Sequence, residues 1–175
     1  MSLVCNFFGG PGVGKSSMAA GLFSRLKWKG VNCEIASEYV KGKVWENSLD
    51  VLNDQVYILG KQHHAIFRLY DKVDVVITDS PILLSIVYGQ GNWGLHFEPL
   101  VHNLFRRYRN LNYFLTRNKP YQGAGRIQSY IQAMTLDEKI RETLAEYPYR
   151  TIPGDESSLD IIADEIIAHV GRTLP

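Results

Sequence analysis

The sequence predicts an α/β fold of three layers: a five-stranded parallel sheet with helices on both faces. Three observations predict it. Short apolar or β-branched runs alternate with longer stretches of helical periodicity. The first of those runs passes through a glycine-rich turn directly into a helix. No linker, repeat or shift of composition interrupts the 175 residues, so a single domain over 1–175 is expected.

The elements follow in order. Leu3–Phe8 is a short apolar run suited to a buried parallel strand. Met18, Ala19, Leu22, Phe23 and Leu26 recur at helical spacing, which predicts a helix over Lys15–Lys29 that Gly30 ends. Val31–Ala36 is the second strand, with Glu38 just past its end. Val51–Tyr70 reads as one long helix, with Leu52, Val56, Leu59, His63, Ile66 and Tyr70 on one face. Val73–Thr78 is a β-branched strand, and Pro81 fits the first turn of a helix through Tyr88. Gly89–Gly94 is a loop, Glu98–Tyr108 a helix and Tyr113–Thr116 a strand. Lys119–Gln128, polar and glycine-bearing, reads as a mobile loop. Thr135 and Glu138 form a capping box for a helix to Tyr147. Tyr149–Ile152 is the last strand and Leu159–Val170 the last helix, with Ile162, Ile166 and Val170 inward.

Between the first strand and helix stands Gly9-Gly10-Pro11-Gly12-Val13-Gly14-Lys15-Ser16, followed by Ser17. It fits G-x-x-x-x-G-K-[ST], a phosphate-binding loop. Its glycines let the backbone bring N–H groups against a phosphate, Lys15 reaches the β- and γ-phosphates, and the Ser16 hydroxyl sits on Mg²⁺. The helix that follows points its positive end at the anion.

Composition narrows the class. Apolar residues make up 45% and charged residues 21%, which describes a soluble globular chain rather than a disordered one. No apolar run is long enough to cross a membrane, and with no basic n-region ahead of an apolar h-region, no secretory signal is expected. Cys5 and Cys33 both fall in buried strands and outside any C-x-x-C pair, as reduced core thiols do. His63, His64, His96, His102 and His169 show no metal-ligand spacing. The net charge is +1 but unevenly spread. No acid lies from Pro99 to Leu136, a window that carries Arg106, Arg107, Arg109, Arg117, Lys119 and Arg126. An anionic partner is expected near it, either triphosphate or nucleic acid.

In an open parallel sheet, ligands bind beyond the carboxyl ends of the strands. The glycine loop, Glu38, Asp79 and Arg117 all fall there. Asp79 occupies the place of a magnesium-binding acid after an apolar strand. Glu38 is placed to accept the proton of an attacking hydroxyl. Arg117 and Arg126 would neutralise charge developing on a γ-phosphate. Gln55 and Gln62 are candidates to hydrogen-bond a planar base, and Trp45, Tyr57, Tyr88 and Trp93 to stack on it.

Asn6–Ser16, Ser37-Glu38-Tyr39-Val40-Lys41 and Ile77-Thr78-Asp79-Ser80-Pro81 resemble the small P-loop kinases often encoded by bacteriophages. These are similar to ribosylnicotinamide kinase domains and, more distantly, to thymidylate and deoxynucleoside kinases. Phage kinases of 5-hydroxymethyluracil in DNA belong to the same neighbourhood. The resemblance implies an ATP- and Mg²⁺-dependent kinase with a nucleoside-type acceptor, free or within DNA. It implies Glu38 as base, Asp79 as the acid before a helix, and a lid over about 117–130. Candidate acceptor contacts are then Glu38, Tyr39, Gln55, Gln62 and Tyr88. Two features depart from the family: the arginine that usually follows the acid is absent after Asp79, and the lid is not arginine-rich. A monomer or homodimer in the cytoplasm of a phage-infected bacterium is expected. The competing class is an ATPase without a small acceptor. A regulatory GTPase is disfavoured, because Asp79-Ser80-Pro81-Ile82 lacks the glycine of D-x-x-G and Tyr121 breaks N-K-x-D.

Overall fold

The computed structural model describes residues 1–89, 93–118 and 129–171. Strands β1 (Leu3–Phe8), β2 (Cys33–Ala36), β3 (Val75–Thr78), β4 (Arg109–Thr116) and β5 (Arg150–Pro153) form one sheet. Their order is β2-β3-β1-β4-β5, and every pairing is parallel. The helices are α1 (Lys15–Trp28), α2 (Tyr39–Trp45), α3 (Gln55–Phe67), α4 (Leu84–Gly89), α5 (Phe97–Arg106), α6 (Tyr130–Leu144) and α7 (Leu159–Val170). The expected three-layer α/β architecture is the observed one. Among the described residues, no helix is long and apolar enough to cross a membrane.

Side chains alternate along a strand, so β1, buried throughout, feeds two cores. Leu3, Cys5 and Phe7 pack against Met18, Leu22 and Leu26 of α1 and Ile162 and Ile166 of α7. Val4 and Phe8 face Leu59 and Ile66 of α3, Phe105 of α5 and Leu144 of α6. Truncating a ring such as Phe105 to alanine costs about 3–5 kcal/mol. Both cysteines are free and buried; burial pushes the Cys33 thiol up to about 11 and the Cys5 thiol higher still.

β1 lies between β3 and β4: the connection from β1 runs outward to β2, and the one from β3 crosses past β1 to β4 on its other side. That reversal opens a crevice at its carboxyl end, where Phe8 passes into Gly9.

The structure departs from expectation at several elements. The stretch read as one helix over Val51–Tyr70 is a short 3₁₀ turn, Leu49–Asn53, followed by α3. Asp54 separates them by capping α3, accepting the Tyr57 N–H at 2.9 Å. The inward face of α3 is Gln55, Ile58, Leu59, Gln62 and Ile66, whereas Val56 is 50% exposed. An extra helix, α2, follows Glu38. After Pro81 the chain makes successive turns and becomes α-helical only at Leu84. β4 starts at Arg109 rather than Tyr113. The capping box of α6 is Ser129 with Gln132, not Thr135 with Glu138, so this helix starts a turn and a half earlier. Thr135 instead bonds back to the Ile131 carbonyl within the helix.

Candidate functional site

The glycine loop turns through left-handed φ at Gly9 (136°), Gly12 (81°) and Gly14 (106°), which side chains rarely adopt. Gly14 also has no room for a side chain: a Cβ there would lie 2.8 Å from the Gly154 carbonyl oxygen. A Cβ on Gly154 would in turn lie 2.3 Å from the Val13 carbonyl. The turn after β5 therefore holds the glycine loop backbone to backbone. Like α2, α5 and α7, α1 begins with no side-chain cap, whereas α3 and α6 are capped by Asp54 and Ser129. Uncapped N–H groups behind a glycine cradle fit the phosphates of a nucleotide.

Lys15 lies half-buried at the start of α1, its ammonium donating to the Gly9 carbonyl at 2.6 Å and to Gly10 at 3.1 Å. Burial pushes its pKa below the ordinary lysine value. The charges of Glu38, Asp79 and Asp137 oppose that shift, and Arg117 adds to it. The predicted groups Glu38, Asp79 and Arg117 are thus brought within electrostatic reach of Lys15.

Asp79 follows β3 directly and is only 6% exposed. Its Oδ1 accepts the backbone N–H of Glu38 at 3.1 Å. One hydrogen bond thereby ties the ends of β2 and β3 together and sets where Glu38 stands. Glu38 precedes α2 in extended conformation, and its carboxylate is not spent on capping that helix.

Asp137 of α6 was not legible as a site residue. It accepts the Gly10 N–H on Oδ1 and the Arg117 Nε–H on Oδ2 at 2.9 Å. Arg117 also donates to the Pro11 carbonyl at 2.7 Å and the Ala133 carbonyl at 3.4 Å. Both side chains of the ion pair are largely buried, at 13% and 15% exposure. The result is a closed ring joining the end of β4, the glycine loop and α6. Gly10 takes part because a Cβ would lie 2.6 Å from the Ala133 carbonyl.

Other candidates fall elsewhere. Ser16 is half-buried and Ser17 exposed at the start of α1. Gln62 is buried and donates to the Thr78 hydroxyl at 3.2 Å, next to Asp79. Gln55 is buried and donates to the Leu52 carbonyl at 2.8 Å. Tyr39 meets Tyr57, hydroxyl to hydroxyl, at 3.0 Å. Tyr88 and Trp93 pack against the core that faces α3 to α6, and Trp45 is exposed. Arg126, and most of the expected lid, lies outside the described residues. Among the described residues of the basic window, Arg106 pairs with Glu146 at 3.1 Å, Arg117 pairs with Asp137, and Arg109 donates to the His169 carbonyl at 3.1 Å; Lys119, like Arg126, lies outside the described residues.

A parallel sheet with its switch point at β1, a glycine cradle opening an uncapped helix, and acids facing its lysine define a P-loop NTPase-like fold. Residues 4–158 match the model of the AAA_28 family, described as an AAA domain, and the chain belongs to that family. Among solved structures it is similar to the NadR protein in complex with NR, at TM-score 0.71 and 14% identity, covering 99% of this chain and 53% of that one. NadR in complex with NAD and AMP-PNP matches at TM-score 0.69 and 15% identity, over 99% and 51%. Deoxyadenosine kinase from M. mycoides, with products dcmp and dcdp bound, matches at 0.56 and 14%, over 94% and 99%. The chain spans about half the length of the two NadR chains. No curated protein matches the sequence.

Proposed function

We propose that this protein is a kinase that moves the γ-phosphoryl group of ATP to a hydroxyl of a nucleoside-type acceptor. That acceptor is a free nucleoside or nucleotide, or a hydroxymethylated pyrimidine such as 5-hydroxymethyluracil in phage DNA. The observation that carries this reading is the facing of Lys15 by Glu38 and Asp79 at the crevice.

In this reading the glycine-loop amides and Lys15 hold the β- and γ-phosphates. Glu38 accepts the proton of the acceptor hydroxyl as its oxygen bonds to the γ-phosphorus and the bond to the bridging oxygen breaks. Asp79 keeps Glu38 in place through the Glu38 N–H. Ser16 and Asp79 would hold Mg²⁺. Two protein groups would leave most of the coordination of a magnesium ion to phosphate oxygens and water. Magnesium held there would supply positive charge against the triphosphate. Arg117 acts through the loop it braces, and Arg126 supplies charge to the γ-phosphate. Gln55, Gln62, Tyr39 and Tyr88 are the acceptor contacts, and the protein works as a monomer or homodimer.

The description of the family as an AAA domain favours a second reading, ATP hydrolysis without a small acceptor. One assay separates the two. γ-Labelled ATP is supplied with free nucleosides, nucleotides, ribosylnicotinamide and DNA containing hydroxymethylated pyrimidines. Label on an acceptor supports the kinase. Label only in free phosphate, with every acceptor present, replaces it with the ATPase.

A further inference from the structure

A second acid-free stretch runs from Gln55 to Tyr70, through α3 and the turn that follows it. Tyr57, Lys61, His64 and Arg68 recur along it at i, i+4, i+7 and i+11, and all four are exposed. That spacing is one stripe of a helix. Lys61 and Arg68 stand about 10 Å apart along the axis, at 1.5 Å per residue. Among the described residues neither forms an ion pair. They differ in this from the arginines of the 99–136 window, most of which are held by groups of the chain itself. Among the described residues of that window, Arg107 has no ion pair, and it precedes Tyr108, whose ring stands 6.0 Å from that of His63 beside this stripe.

The upper end of the stripe reaches the acceptor side of the site. The Tyr57 ring meets the Tyr39 ring edge-on at 5.7 Å. The Lys61 ammonium stands over both rings, 5.2 Å from Tyr57 and 5.8 Å from Tyr39. Lys43 stands 5.6 Å from the Tyr39 ring and is answered by Glu46. Tyr39 is the residue after Glu38, so the aromatic pair sits one residue from the proposed base. Two aromatic rings at the site, leading into cations spaced down a helix, match a chain of bases with a repeating phosphate. A single nucleotide would occupy only the upper end.

We infer that the outward stripe Tyr57–Lys61–His64–Arg68, along α3 and its C-cap, binds the backbone of a single-stranded nucleic acid and leads it to the proton-accepting carboxylate of Glu38. The assignment of that carboxylate rests on the kinase reading; the binding face does not. Tyr39 and Tyr57 stack bases, while Lys61, Arg68 and Arg107 answer phosphates.

The test is fluorescence anisotropy with a labelled oligothymidylate of about ten nucleotides, titrated over a salt series. With three phosphate-binding cations, log K should fall against log salt with a slope of about −2. The double substitution Lys61→Ala/Arg68→Ala should lower affinity at least tenfold and make the slope shallower by about 1.4. Both positions are exposed, and a matching thermal melt shows that the variant is folded. Arg106→Ala/Arg109→Ala, outside the stripe, should change affinity less than twofold. No binding at low salt, or binding unchanged by the double substitution, would overturn the inference. Label transfer to free nucleosides without strand binding would overturn it while leaving the kinase standing. Strand binding along the stripe with no acceptor labelled would uphold the binding face and remove both the kinase and the role of Glu38.

Discussion

The two sides of the crevice are built differently. On the side of β1, β4 and β5, the glycine loop is held by main chain and buried charge: Gly14 against Gly154, and Asp137 with Arg117 around Gly10 and Pro11. On the side of β2 and β3, the described ties are side-chain hydrogen bonds at the strand ends, Glu38 N–H to Asp79 and Gln62 to Thr78, and the rim beyond them carries the half-buried Tyr39 and the exposed Tyr57 and Lys61. A rigid cradle suits a phosphate tail that never varies. A loosely fixed rim suits an acceptor that must enter, be recognised and leave. In the kinase reading proposed above, positioning of the donor and selection of the acceptor would fall to different strands of one sheet.

Breaking the cradle should have the largest effect. Lys15→Ala removes the ammonium from the phosphate site and is expected to abolish measurable transfer, checked by γ-label assays with the melting temperature unchanged. Removing the base from the other side should cost less: Glu38→Gln should slow kcat by about a hundredfold or more and leave ATP affinity intact by calorimetry. Unchanged turnover would move the base elsewhere.

Asp137 sharpens the comparison, because it acts on the cradle without lying among the predicted contacts. Asp137→Asn keeps an oxygen for the Gly10 N–H but gives up the charge facing Arg117. It also removes a negative charge near an anionic ligand. ATP should therefore bind more tightly or unchanged, while kcat falls by about tenfold, a few-fold either way, as for a lost orienting contact worth about 1.4 kcal/mol. A parallel loss of affinity and turnover would make Asp137 a purely structural residue.

The smallest expected effect is on pH. Burial holds the Lys15 pKa below its ordinary value in the empty protein. Bound phosphate raises it again, so ATP affinity should be flat at low pH and fall as pH rises through the lowered value. Below the unfolded pKa and above the folded one, the unfolded chain binds more protons, so the empty protein gains stability with pH over the same window. Opposite slopes for affinity and melting temperature check this, and slopes of the same sign would contradict it.

The cradle was legible because its signal is local: eight consecutive residues carry glycines, lysine and hydroxyl at fixed spacing. Glu38 and Asp79 were legible because strand ends are. Asp137 and Gly154 were not, since their roles exist only when α6 and the turn after β5 come back to the loop. The break before α3 and the true start of α6 had signals that were available, Asp54 ahead of Gln55 and Ser129-x-x-Gln132. Apolar periodicity through 51–70 outweighed the first, and Thr135 with Glu138 offered a competing box. α2 escaped notice because its seven residues are too few to show a period.

The two thiols supply a built-in gauge of opening. Cys5 lies on the central strand under both α1 and α7, and Cys33 at the start of the edge strand β2. Each is shielded and held protonated, so an alkylating reagent can capture it only in molecules that have transiently come apart there. Cys33 should be captured during fraying of the acceptor edge and Cys5 only when the whole domain unravels, so the ratio of their labelling times reads how independently the two halves breathe.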